Sequence, residues 1–461
     1  MTDLFKKITL DNFMSFDHLE FDLSDGGKGS AAMPYAVIYG ENGSGKSNLV
    51  SSFMFLKDTL YTLSAQSGMD RLKTFAEELN LDGSEGVLDL SRIEPMTRLS
   101  MREIIKGREM GSGTRSYRMM GGGPMRVSYD FTVDGRDGSY TLSFGEDDRV
   151  VREEMTYRVN ARTVTLFSVR IDGGEPVFNG PIAITDRGYL KEILERIDRY
   201  WGRNTFLSVL IDEMDRNNRE FMLKKTCPAL MKIIDFFNAF AVSFRGETED
   251  ARYQPFKIRN LSKGLIRMSD KEHLLKLERA LSSFFRRTYS DIEMVRYHIE
   301  TRGSKLSYRL FFSKVICGEV REIEAICESS GTLKLLDNFQ ALLSCCHGNT
   351  VIIDELDSGI HDLMVDNMFM ELIDANKGQI IITTHNTVLL EHISPRRAFV
   401  IQVDSERSKS IARISDIART QKNHNNRDRY MCGLFGGIPT LTGIYFEEIC
   451  ESLAEEGRSS A

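Results

Sequence analysis

The chain has 461 residues, 41% apolar and 28% charged, enough for two or three domains with a sizeable core. Acidic residues outnumber basic ones, 67 to 60, so any nucleic-acid contact must be a local patch and not a general basic coat. Glycine and proline, at 36 and 9, are ordinary, which excludes collagen-like and low-complexity chains.

The first forty residues alternate as strands do: Phe5, Ile8 and Leu10, then Phe16, Leu19, Phe21 and Leu23, then the apolar run ending at Tyr39. A glycine-rich turn follows, and after it residues 47–56 read as an amphipathic helix. The turn, Gly40-Glu-Asn-Gly-Ser-Gly-Lys46-Ser47, matches G-x-x-x-x-G-K-[ST] at every fixed position, between a strand and a helix as that motif requires. Glycines let backbone N–H groups curl around phosphates, and the helix start adds positive potential. Gly40, Asn42, Gly43, Ser44, Gly45, Lys46, Ser47 and Asn48 are therefore the expected ATP contacts, with Lys46 on the β- and γ-phosphates and the Ser47 hydroxyl on Mg²⁺.

Residues 92–126 carry Arg92, Arg98, Arg102, Lys106, Arg108, Arg115, Arg118 and Arg126 against three glutamates, without periodicity, and read as a basic flexible loop. Two uses stay open: an attractor for nucleic acid or another acidic partner, or a solvated surface loop. Val127, Tyr129, Phe131 and Val133, a glycine turn, then Tyr140, Leu142 and Phe144 read as a hairpin that opens a β-rich segment, 127–178. Residues 179–300 are expected to be a helical insertion, with Leu190, Ile193, Leu194 and Ile197 on one face and further helices at about 217–240 and 271–286. Residues 1–91 and 301–461 are then the two parts of one α/β head, a mixed or parallel sheet with flanking helices.

Within the second part, Val351-Ile-Ile-Asp354-Glu355 has the Walker B form. An apolar strand puts its carboxylates where parallel sheets bind ligands, Asp354 to hold Mg²⁺ through water and Glu355 to orient the attacking water. His385 ends a neighbouring strand, where an imidazole would reach the γ-phosphate. Seven cysteines without CxxC spacing read as reduced thiols. With no run near the roughly 20 apolar residues of a membrane span and no signal-peptide pattern, the expectation is a cytoplasmic protein with no membrane partner.

This order of motifs resembles the ABC-type P-loop ATPase head of SMC, RecF and OLD proteins. In detail it resembles the stand-alone ATPases of bacterial anti-phage systems, the PARIS ATPase subunit first and the Septu ATPase second. The resemblance rests on Glu328-Ser329-Ser330-Gly331-Thr332, Asp354-Glu355-Leu-Asp357-Ser-Gly-Ile-His361 and Arg427-Asp-Arg-Tyr430 with Gly433-Leu-Phe-Gly436-Gly-Ile-Pro439. It implies a homo-oligomer built on ATP-sandwich dimers, in which Ser329 and Gly331 of one copy contact the γ-phosphate held by the other. It further implies a slow, regulatory ATPase that senses phage infection, through an acidic phage trigger or nucleic acid, and holds or releases a toxic effector, a nuclease encoded nearby. A RecF-like DNA-repair ATPase is the alternative, and a transport ATPase ranks third. The segment Gly433 to Pro439 is either ordered against the head or a plain turn.

Overall fold

The computed structural model describes residues 2–26, 31–78, 117–119, 122–217, 219–244, 247–249, 258, 260–419, 424–439, 443, 445–447 and 450, without side-chain detail for 64–78 and 247–249. Chain order begins with β1 (Leu4–Phe13), β2 (Phe16–Asp22), β3 (Tyr35–Tyr39), α1 (Lys46–Glu78), β4 (Met125–Val133), β5 (Arg136–Phe144), β6 (Val150–Val159), β7 (Arg162–Asp172) and β8 (Glu175–Asn179). Helices α2 (Arg187–Tyr200), α3 (Phe206–Arg216), α4 (Arg219–Lys225) and α5 (Pro228–Ala239) lead to β9 (Ala241–Phe244), β10 (Glu247–Glu249), β11 (Lys263–Arg267), α6 (Lys271–Thr288), β12 (Ile292–Arg302), β13 (Lys305–Ile316) and β14 (Glu319–Glu324). The C-terminal part carries α7 (Ser330–Cys346), β15 (Thr350–Ile353), α8 (Asp362–Ala375), β16 (Gln379–Thr383), β17 (Ala398–Val403) and β18 (Lys409–Arg413), followed by short helices.

The central sheet has the order β10-β9-β15-β16-β3-β17-β18, parallel from β9 to β17 with an antiparallel strand at each edge. Its parallel strands are buried on both faces, which is why they are mostly apolar runs. Ala36, Ile38, Ile352, Ile381 and Ile401 face one core, with Phe5, Phe53 and Phe236. Val37, Tyr39, Val351, Ile353, Ile380, Ile382 and Val400 face the other, with Leu335, Phe339 and Val365. Period-two side-chain alternation thus splits one strand between two cores.

The β-rich segment 127–178 is not a separate insertion. Its strands continue the N-terminal hairpin in one antiparallel sheet, β2-β1-β4-β5-β6-β7-β8, because the buried side of β1 (Phe5, Ile8, Leu10) and of β4 (Val127, Tyr129, Phe131) are one apolar face. Nor is 179–300 purely helical: β9 joins the central sheet beside β15, and the β12–β13 hairpin crosses the expected boundary at 300. The helix expected over 217–240 is two helices, α4 and α5. Pro228 lacks an N–H and pushes Cys227 to φ −72°, ψ 142°, so the break falls there. In the third sheet, β13 lies between β12 and the pair β11 and β14.

Six of the eight basic residues of 92–126 lie outside the described residues. Arg118 is inside and already engaged, its Nη1 donating to the Glu146 carbonyl at 2.8 Å and pairing with Asp148 at 3.1 Å. It belongs to the β-sheet's loop contacts and is not a free cation for an acidic partner.

Glu153 ties this antiparallel sheet to the helices. Fully buried on β6, it accepts from Tyr140 Oη (2.9 Å), Trp201 Nε1 (2.9 Å) and the N–H groups of Phe206 (2.6 Å) and Leu207 (3.2 Å) at the start of α3. Burial pushes its pKa up to about 7, against these four donors, which favour the ionised form. A carboxyl raised in the folded state stabilises fully below its unfolded value, near 4.5, and loses that contribution as pH rises through 7. The loss is about 3 kcal/mol. Thermal melts from pH 4.5 to 8 should therefore show a falling contribution in wild type that Glu153→Gln flattens. Parallel pH profiles for the two proteins would mean that Glu153 titrates as it does in the unfolded chain.

Candidate nucleotide site

Three adjacent strands, β15, β16 and β3, end at one edge of the central sheet, and each delivers a motif there. Beyond β3 the glycines turn the chain: Gly43 has φ +80° and Gly45 φ +112°. A Cβ on Gly45 would stand 2.8 Å from the Phe16 ring, so both conformation and packing require glycine. Lys46 begins α1, is 5% exposed, and its Nζ donates to the carbonyls of Gly40 (2.8 Å) and Glu41 (3.1 Å). Burial lowers its pKa, opposed by the charges of Asp354, Glu355, Asp357 and Glu41.

Asp354 directly follows β15 and is almost fully buried, and its Oδ1 accepts from Thr383 Oγ1 at 2.7 Å. The same Thr383 hydroxyl accepts the N–H of Glu355 at 2.8 Å. Glu355 has φ +50°, a left-handed conformation that costs a non-glycine residue about 1 kcal/mol or more. The Thr383 bridge holds it there. Asp357 Oδ2 accepts the backbone N–H of His385 at 3.1 Å, and Asp357 Oδ1 is buried with no partner among the described residues. Burial, then the Lys46 charge, lowers the His385 pKa, against Asp357, Glu355 and Asp354. The imidazole is thus biased toward its neutral form.

The signature segment sits at the start of α7. Ser329 is its N-cap: Oγ accepts from the Thr332 N–H at 3.2 Å and lies 2.9 Å from Thr332 Oγ1. Gly331 is buried, and a Cβ there would meet the Gly359 carbonyl at 2.1 Å. Packing on the Asp357–Gly359 turn of its own chain therefore already requires glycine at this position. Lys334 Nζ donates to the Asp354 carbonyl at 3.2 Å, which joins α7 to Walker B. Asn48, expected on the nucleotide, donates its amide N–H to Ser15 Oγ at 2.7 Å in the β1–β2 turn.

The segment around Gly433 to Pro439 is packed on the head. Phe435 is fully buried, its carbonyl accepts from Gln402 Nε2 at 2.8 Å, and a Cβ on Gly437 would stand 3.3 Å from the Gly40 Cα. Tyr430 donates to the Gly437 carbonyl at 2.9 Å and lies 5.6 Å, ring to ring, from Tyr39, whose hydroxyl bonds the Asn386 carbonyl at 3.2 Å. Walker A, the residue after His385 and this C-terminal segment are thus one connected unit. Sequence reasoning missed Thr383, although it stands in the Thr-Thr-His run, and Lys409, whose Nζ donates to the Gly43 carbonyl at 2.7 Å.

The donors fit a nucleotide triphosphate. A glycine loop and a helix start surround a buried ammonium, and Ser44 Oγ is buried with no partner among the described residues. Ser47 and Asp354 offer hard oxygen ligands of the kind Mg²⁺ takes, with phosphates and water completing its shell. Among the described residues no cluster of three or more His, Cys, Asp or Glu side chains is arranged for a metal, and Mg²⁺ beside a phosphate needs none.

Comparisons with known proteins agree on the class. Residues 7–154 match a family model described as "AAA domain", and residues 234–391 one described as "AAA domain, putative AbiEii toxin, Type IV TA system". The first segment holds the glycine loop and the second holds Asp354, Glu355 and His385, so the chain has the α/β fold of a P-loop ATPase. No curated protein matches it. Among solved structures it is similar to an SMC head bound to the C-terminal winged-helix domain of ScpA, at 15% identity over 89% of this chain and 97% of that one, TM-score 0.42. It is also similar to the SMC head domain from Thermotoga maritima (14% identity, 89% and 98% covered, TM-score 0.35) and to the recombination mediator RecF of the RecFOR pathway (11%, 89% and 98%, TM-score 0.35). No helix among the described residues is long and apolar enough to cross a membrane.

Proposed function

We propose that this ABC-type head binds and slowly hydrolyses ATP, pairs head to head through its signature, and holds or releases a toxic effector in bacterial immunity. The observation that carries the ATPase reading is the convergence of Lys46, Asp354, Glu355, Asp357 and His385 at three adjacent strand ends, each acting electrostatically on Lys46 or His385. Bound Mg-ATP supplies a γ-phosphorus open to attack by water. Lys46 neutralises the β- and γ-phosphates, and Ser47 and Asp354 hold Mg²⁺. Glu355 orients the attacking water and takes its proton, in a position fixed by Thr383. The neutral His385 imidazole donates toward the γ-phosphate.

Pairing is supported by the signature itself: Ser329 is an exposed residue whose hydroxyl is bonded within its own helix, so it acts on a nucleotide only if another copy brings one to it. The effector reading rests on the motif pattern that resembles PARIS and Septu ATPases and on the toxin–antitoxin wording in the description of the family model matched by residues 234–391. Phage challenge of cells carrying this gene alone, and with each neighbouring gene, tests it. Protection only when a neighbour is present supports the effector reading. Protection by the chain alone, or duplex-DNA binding by the purified chain that accounts for its activity, moves the function to a RecF-like DNA-repair ATPase.

A further inference from the structure

The tip of the P-loop is held from outside by a residue that no motif marks. Lys409 opens β18, and its Nζ donates to the Gly43 carbonyl at 2.7 Å across 366 residues of sequence. Gly43 stands at φ +80° with nothing within 4 Å of where a Cβ would be, so the tip has little else packed on that side. The other ties come from the loop itself: the Ser44 N–H to the Glu41 carbonyl at 3.2 Å, and Lys46 to the carbonyls of Gly40 and Glu41.

The support behind Lys409 is stiff. Lys409 pairs with Val403 in the β17–β18 hairpin, and β17 lies parallel to β3, the strand that feeds the loop. The hairpin turn is closed by Asp404, whose Oδ1 accepts the N–H groups of Glu406 (2.9 Å) and Ser408 (2.8 Å) and whose own N–H bonds the Ser408 carbonyl at 3.0 Å. Lysine and loop are therefore mounted on neighbouring strands of one sheet. Partial burial lowers the Lys409 pKa, opposed by the neighbouring Glu41 charge, which favours the ammonium form. A glycine-rich tip gives up more backbone freedom on ordering than any other sequence would. A fixed cation on its outward carbonyl lowers that cost before a ligand arrives.

We infer that Lys409 is a positioning residue of the nucleotide site: it pre-orders the P-loop tip through Gly43 and sets a second positive charge beside the triphosphate, strengthening binding without entering the hydrolytic step. This rests on the reading of residues 40–47 as the nucleotide loop.

Calorimetric titration with Mg-ATP and steady-state hydrolysis, on the full chain, test it. Lys409→Met keeps the stem and removes the charge; Kd and KM should rise about tenfold while kcat stays within about twofold. Lys409→Arg should recover most of the affinity, and the affinity of wild type should fall more steeply with added NaCl than that of Lys409→Met. Wild-type Kd for Lys409→Met, or an arginine variant no better than the methionine one, would overturn the role. The control is Lys46→Ala. If wild type binds no Mg-ATP, or Lys46→Ala binds as tightly as wild type, the nucleotide reading itself fails. If Lys46→Ala loses binding and Lys409→Met does not, only the role of Lys409 is lost.

Discussion

Lys46→Ala should weaken Mg-ATP binding by about 100- to 1,000-fold, measured by calorimetry at fixed ionic strength. The lysine is 5% exposed and bonded to two loop carbonyls, so its ammonium is fixed where phosphate charge must be neutralised. Removing it costs the loop its bonds to the Gly40 and Glu41 carbonyls, while the glycine turns, the Lys409 tie and the Gly437 contact do not depend on its side chain. What is lost is the charge-assisted pairing with the β- and γ-phosphates. Unchanged affinity in a folded Lys46→Ala protein would remove the nucleotide from this site.

Glu355→Gln should bind Mg-ATP as tightly as wild type and turn it over about 100- to 1,000-fold more slowly in a phosphate-release assay. The amide keeps the shape of the carboxylate and loses only its ability to accept a proton. The backbone geometry should survive, because Glu355 is held through its N–H by Thr383 and not through its side chain. Normal turnover would assign the base elsewhere, with Asp357 the next carboxylate to test, since its Oδ1 is buried without a partner among the described residues and its charge acts on both Lys46 and His385.

The strands that end at the candidate nucleotide site were legible in the sequence because their signals are local. An apolar run ending in a glycine loop, and another ending in Asp354-Glu355, need no knowledge of distant chain. β9 was hidden for the opposite reason. It has four residues directly after an apolar helix, and only its parallel pairing with β15, more than a hundred residues later, shows that it is a strand of the central sheet. The union of β1 with β4 into one sheet was hidden in the same way, whereas the helix break at Pro228 was readable and overlooked. At the site, residue type and spacing located Lys46, Asp354, Glu355 and His385. They did not reveal that Asn48 would turn to Ser15, that Gly331 would pack on Gly359, or that Lys409 would reach Gly43, since each depends on which segments the fold brings together.

Pairing through the signature is the claim on which regulation depends, and the slow variant makes it measurable. Glu355→Gln, purified and examined by light scattering with saturating Mg-ATP, should have at least twice the 52.5 kDa mass of one chain, and Ser329→Arg in the same background should return it to 52.5 kDa. A 52.5 kDa particle for Glu355→Gln with ATP bound would contradict the account, because a nucleotide-loaded head that stays alone leaves the Ser329 hydroxyl without a phosphate to meet.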